Sequence, residues 1–81
     1  MIIGNEEYLF TRGSDVIREG MFLEAEKNGG GNHQIIAEVF YSDLSGEFTF
    51  SCFVEDAPLE VIAALIKQAK DLLPPVDFNK S

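Results

Sequence analysis

Apolar and polar residues alternate along most of this chain, and a helical spacing takes over near its end. Tyr8, Leu9 and Phe10 form a strand-like cluster within Asn5–Arg12, and Arg12-Gly13-Ser14-Asp15 reads as a turn. Val16–Glu19 fits either the start of a long bent strand or one helical turn capped by Ser14. Met21–Lys27 predicts a strand with Met21, Leu23 and Ala25 on one face and Phe22, Glu24 and Glu26 on the other. Asn28-Gly29-Gly30-Gly31-Asn32 predicts a hairpin connection, because glycine and asparagine tolerate the positive φ of tight reversals. Gln34–Ser42 is rich in branched and aromatic residues and predicts a further strand. Strict alternation places Ile35, Ala37, Val39 and Tyr41 on one face and Gln34, Ile36, Glu38 and Phe40 on the other. Asp43-Leu44-Ser45-Gly46 closes a second reversal, with glycine at its end. Glu47–Val54 then alternates Phe48, Phe50, Cys52 and Val54 against Glu47, Thr49, Ser51 and Phe53.

From Pro58 the period changes. Leu59, Ile62, Leu65, Ile66, Ala69 and Leu73 recur at three- and four-residue spacing and predict a helix to about Leu72. Asp56 is placed to cap it, and Pro58 suits its first turn, where a missing N–H costs nothing. Pro74-Pro75 ends it. The expected class is α+β: a three- or four-stranded antiparallel meander with one C-terminal helix packed on one face. The order of the strand at Tyr8–Arg12 is left open. Residues 1–81 are read as one small domain, with 74–81 a proline-initiated tail.

Charge adds the next constraint. The chain has 81 residues, 14 acidic against 6 basic, for a formal charge of -8. With 46% hydrophobic residues and seven phenylalanines, it is too apolar for charge-driven disorder, so the charge sits on a folded body. No lysine or arginine occurs between Asn28 and Ile66, a stretch holding Glu38, Asp43, Glu47, Glu55, Asp56 and Glu60. An acid-only middle is repelled by polyanions and anionic lipid, which argues against direct nucleic-acid and membrane binding. The same charge also serves plain solubility. The lack of a basic n-region before Ile3, and of any apolar run of membrane length, points to the cytoplasm.

Candidate chemistry is sparse. The single cysteine, Cys52, excludes an internal disulfide and reads as a buried small hydrophobe. His33, the single histidine, has no oriented nucleophile and reads as an exposed loop-end residue. The glycine run lacks the lysine and the serine or threonine of a phosphate loop, and a strand rather than a helix follows it. No carboxylate group has the spacing of a calcium loop, and no cysteine–histidine cluster suggests zinc. No metal, cofactor or enzymatic reaction is expected.

A single helix covers one face of a sheet. The other face is predicted to expose Phe22, Ile36, Phe40 and Phe53 beside Glu24, Glu38, Glu47 and the nearby Asp43, unless Met1–Ile3 or Val76–Phe78 folds over it. Aromatic anchors in an acidic rim suit a small inhibitor, immunity-type protein or adaptor that engages a basic protein surface. The alternatives are a structural homodimer without catalytic activity, joined through these faces or open strand edges, and a nucleic-acid mimic.

Overall fold

Among the described residues, five antiparallel strands follow one another in space in their chain order, and one helix crosses a single side of them. The computed structural model describes residues 1–29 and 32–74. The strands are β1 (Ile2–Ile3), β2 (Glu6–Asp15), β3 (Gly20–Gly29), β4 (Asn32–Ser42) and β5 (Phe48–Cys52), in the order β1-β2-β3-β4-β5, and the helix is α1 (Leu59–Leu72). The class is α+β, as expected, with β1 the added strand. Gly4, at φ 62°, lets the chain reverse tightly after β1, so that Met1 and Tyr8 exchange backbone hydrogen bonds. The Gly30-Gly31 part of the glycine loop and the tail beyond Pro74, including Val76 and Phe78, lie outside the described residues.

The core lies between α1 and the middle strands. Leu23, Ala25, Ala37 and Val39 from β3 and β4 meet Val61, Leu65, Ala69 and Leu73 from the helix, with Tyr8 and Ile36 at one end. The buried helical line is therefore Val61-Leu65-Ala69, a spacing of four that Leu73 continues past the helix end. Leu59, expected in this line, is 81% exposed, and Val61, not expected there, is fully buried. The helix packs on β3 and β4, where Ala25 and Ala37 belong to the same buried cluster as this line. Asp56 does not cap it. Asp56 turns the chain at φ 54°, Pro58 occupies the cap position without a side-chain bond, and the Pro58 carbonyl accepts the N–H groups of Val61 and Ile62.

Three local departures from the simple pattern reshape the sheet. First, β2 continues straight through Gly13 and Ser14 instead of turning at Arg12–Asp15, and pairs with β3 as far as Asp15↔Gly20. Gly13 belongs in this strand because the ring of its cross-strand partner Phe22 lies over it; a Cβ there would come within 2.5 Å of that ring. Second, the reversal falls at Val16–Glu19. Neither a helical turn nor a bent strand forms, because the Asp15 carboxylate, not Ser14, accepts the backbone N–H groups of Ile17 and Arg18. Third, the β3–β4 register shifts at Ala25/Glu26: Ala25 faces Ala37, but Glu26 faces Ile35. This bulge turns Ile36 into the core, where it is 2% exposed, and sends Ile35 to the other side. The expectation that Ile36 lies on the uncovered face is thus corrected: the bulge breaks the period of two.

The second hairpin follows its sequence. Ser42 Oγ accepts the N–H groups of Leu44 and Ser45, and Gly46 sits at φ 73°.

Candidate functional site

The sheet side away from α1 holds most of the predicted interaction residues. Register places Phe22, Glu24 and Glu26 of β3 beside Phe40, Glu38 and Ile35 of β4, with Leu9 and Thr11 of β2 and Thr49 and Ser51 of β5 completing this side. Val54 packs into the core, so Phe53 before it falls on the open side, 58% exposed. Asp43 and Glu47 stand exposed at the β4–β5 hairpin, where the Asp43 N–H donates to the Glu19 carbonyl.

Phe40 is not an open anchor. It is 8% exposed, because the Arg18 guanidinium lies 4.1 Å above its ring while Gly20 accommodates its edge. Arg18 also binds Glu38 through two parallel hydrogen bonds of 3.0 Å and pairs with Asp15. Arg18 comes from outside the acid-only stretch, so charge along the chain gave no sign of it. Its signal lay in the turn: Asp15 folds the backbone so that a side chain three residues on is carried back over β3 and β4. Both carboxylates hold the Arg18 pKa well above its usual value, Glu38 contributing more than Asp15. Asp15 in turn is held below the usual carboxylate value, first by the Arg18 backbone N–H and then by its side chain.

Three glutamates form the charged centre of this side, and they differ. Glu38 has Arg18. Glu26 has the His33 ring, with Nδ1 2.8 Å from its carboxylate. Glu24, directly opposite Glu38 in the register, has neither an ion pair nor a side-chain hydrogen bond among the described residues. Partial burial pushes its pKa up, and the neighbouring Glu38 and Glu26 push it further. The order of effects says that Glu24 is short of solvent first and short of a counter-charge second.

This arrangement sets a pH signature. Glu24 has a folded-state pKa above its ordinary 4.5, so its contribution to stability is complete below that value and is lost as pH rises through the raised one. Removing the charge therefore helps at neutral pH. Glu24→Gln is expected to stabilise the fold by about 0.2–1 kcal/mol at pH 7, the scale of a like-charge cross-strand pair, and to give little gain at pH 4. Urea unfolding at the two pH values checks this; an equal gain at both would mean that charge is not the cause. Asp15 runs the other way: its lowered pKa gives a contribution kept above 3.8 and lost on further acidification.

The chain's other distinctive surface is a groove of about 150 Å³ between α1 and β5, lined by Val39, Phe48, Thr49, Phe50, Ile66 and Lys70. Phe48 and Phe50 point to the helix side, as expected, yet α1 packs mainly on β3 and β4 and leaves them only partly covered. They are 37% and 47% exposed. Cys52, expected to be buried, is exposed for the same reason, and its thiol donates to the Val54 carbonyl at 3.3 Å. His33 is exposed, far from forming any pair with that thiol: it faces Asn28, whereas Cys52 faces Ala37. Among the described residues no group of three or more histidine, cysteine or acidic side chains is placed to hold a metal ion, and no helix is long and apolar enough to cross a membrane. Set beside known protein families, curated proteins and solved structures, the chain matches none of them.

Proposed function

We propose that this chain is a non-enzymatic interaction module whose open sheet side receives a basic segment of another protein. The observation that carries the reading is the state of Glu24. Its two acidic neighbours each have a cationic or ring partner, and it has none among the described residues. A lysine or arginine delivered by a partner relieves both costs at once, supplying the counter-charge and replacing lost water with charge-assisted hydrogen bonds. Apolar side chains flank the adjoining Glu26: Leu9 and Ile35 are its cross-strand partners, and with Phe53 all are at least 38% exposed. They supply contact area around a charged centre. The anchors in this reading are Leu9, Ile35 and Phe53, with Glu24 and Glu26 as acceptors; Phe22, Phe40, Arg18 and Glu38 form the floor beside them.

The test is a comparison of charge-matched variants. Glu24→Lys on the open side and Asp71→Lys on α1 change the net charge equally. A basic partner captured in stoichiometric amount at low salt should be lost with Glu24→Lys, retained with Asp71→Lys, and released as salt screens the contact. Equal loss with both variants would reduce the attraction to net charge alone and sink the reading.

A further inference from the structure

We infer that β5 is a self-association edge, and that a second copy of this chain pairs with it antiparallel about a two-fold axis through Phe50. This goes beyond the proposed function and does not rest on it, since it uses a different edge and the opposite side of the sheet.

The strand itself is the first reason. Among the described residues, β5 has β4 on one side and no strand on the other, and all five of its residues are exposed. Edge strands are normally protected by charge, proline or a cover. β5 reads Phe-Thr-Phe-Ser-Cys, without charge or proline, and the uncharged run extends to Val54. The long edge strand at the other side of the sheet, β2, carries Glu6, Glu7, Arg12 and Asp15. For a chain of charge -8, β5 is the edge at which two copies meet without bringing carboxylates into opposition.

The hydrogen-bond phase is the second reason. The Ser42 N–H donates to the Glu47 carbonyl and the Phe53 N–H to the Ile36 carbonyl, in one continuous register. Antiparallel ladders alternate, so Glu47, Thr49, Ser51 and Phe53 direct their backbone groups at β4. Phe48, Phe50 and Cys52 direct theirs outward. A pairing centred on Phe50 sets Phe50 against its own counterpart and Phe48 against Cys52 of the second copy. Every outward N–H and C=O of the strand then has a partner, which a pairing centred on Thr49 or Ser51 does not achieve.

The third reason is what the axis does to the rest of the molecule. A two-fold perpendicular to the sheet keeps both helices on one side. The two Phe48–Phe50–Ile66 grooves become adjoining halves of one apolar floor between the helices. Charge agrees with this placement. The helix starts near Val54, at the end of the sheet where Ile36 and Glu55 lie, and Lys70 lies beside Phe48 at the other. Antiparallel pairing brings the Glu55-Asp56 end of each copy toward the Phe48 end of its mate, where Lys70 offers an opposite charge and Glu47 a like one, so the charges of both signs stay at the ends of an uncharged seam.

Sedimentation velocity on the full chain is the direct measurement. A species of twice the 9.0 kDa chain mass is expected at tens of micromolar, strengthened by salt because the copies share one sign of charge. Salt thus separates this contact from the basic-partner contact, which salt weakens. Phe50→Lys places two ammonium groups across the axis and is expected to raise the dimer dissociation constant at least tenfold. Ile17→Lys, at a turn position 91% exposed and remote from β5, makes the same charge change and should leave it dimeric. Hydrogen exchange on the unmodified protein gives a reading independent of any variant's folding. The amides of Phe48, Phe50 and Cys52 should become protected as concentration rises, while outward amides of Leu9–Asp15 in β2 do not. A wild-type monomer at every concentration, an undiminished dimer in Phe50→Lys, or protection absent from these amides would each overturn the proposal, including the case in which the edge takes a foreign strand instead.

Discussion

Leu65→Ala is expected to produce the largest loss of stability of any single truncation on the helix. Leu65 is fully buried at the centre of the Val61-Leu65-Ala69 line, in one cluster with Ala25 and Ala37 of the sheet. Removing a buried leucine forfeits its transfer free energy and leaves a cavity, together about 2–5 kcal/mol. A domain of this length has a total stability of roughly 4–12 kcal/mol, so the variant sits near the edge of folding. Ala37 and Ala25 have no long side chains with which to refill the space, which puts the expected value in the upper half of that range. Ile66→Ala is the informative neighbour. It follows Leu65 directly but is 38% exposed in the groove, and should cost about 1 kcal/mol or less. Urea denaturation with both variants reads the rotation of α1 directly: equal costs would mean that the buried line is not the one described.

Gly20→Ala is expected to be the most damaging small change in the sheet. Gly20 is buried at the start of β3, and a Cβ added there would collide with the Tyr41 carbonyl and come within 2.5 Å of the Phe40 ring. The ring can shift, but the carbonyl belongs to the β4 backbone. Relief therefore requires β3 and β4 to move apart where the Arg18–Phe40 stack sits. Overpacking of this kind costs about 1–3 kcal/mol. Gly29→Ala provides the contrast, since its added Cβ would lie 3.6 Å from a flexible Glu6 side chain, an ordinary contact. It should change stability by about 0.5 kcal/mol or less. Thermal melts separate the two: about 4–8 °C is lost per kcal/mol in a domain of this size. Adding Phe40→Leu to Gly20→Ala should recover little, because the carbonyl clash remains; full recovery would assign the cost to the ring alone.

Both substitutions lie where pattern reading met its limit. The strands were legible because alternation is a direct imprint of one face in the core and one outside. Alternation puts Leu23 and Ala25 on the helix side, and the structure places them there. Alternation puts Ile36 on the wrong side because it presumes an unbroken register, and a bulge is a relation between two strands that neither strand displays alone. Gly13 looked like a turn residue because glycine usually marks one; here it marks a place where a phenylalanine ring from the next strand occupies the space of a side chain. The open-side site was partly legible. Glu24, Glu38 and Phe22 were expected on it and lie on it, while Phe40 lies on it but is covered by Arg18. Leu9 and Ile35 are not legible there from the pattern, the first because the sequence leaves the order of β2 open, the second because of the bulge.

Period and charge, both properties of neighbouring residues, determined from the sequence alone that this chain is α+β, that its strands form an antiparallel meander, that α1 runs to Leu72, and that its middle is acidic. The tertiary structure decided which residues stand free: it rotated α1 onto Val61, centred it on β3 and β4 rather than β5, brought Arg18 over Phe40 and, among the described residues, left Glu24 without a counter-charge. Those outcomes depend on how closely two elements approach and at what angle. Such distances are set by side-chain volume and hydrogen-bond phase across the whole sheet, and no local stretch of residues carries them.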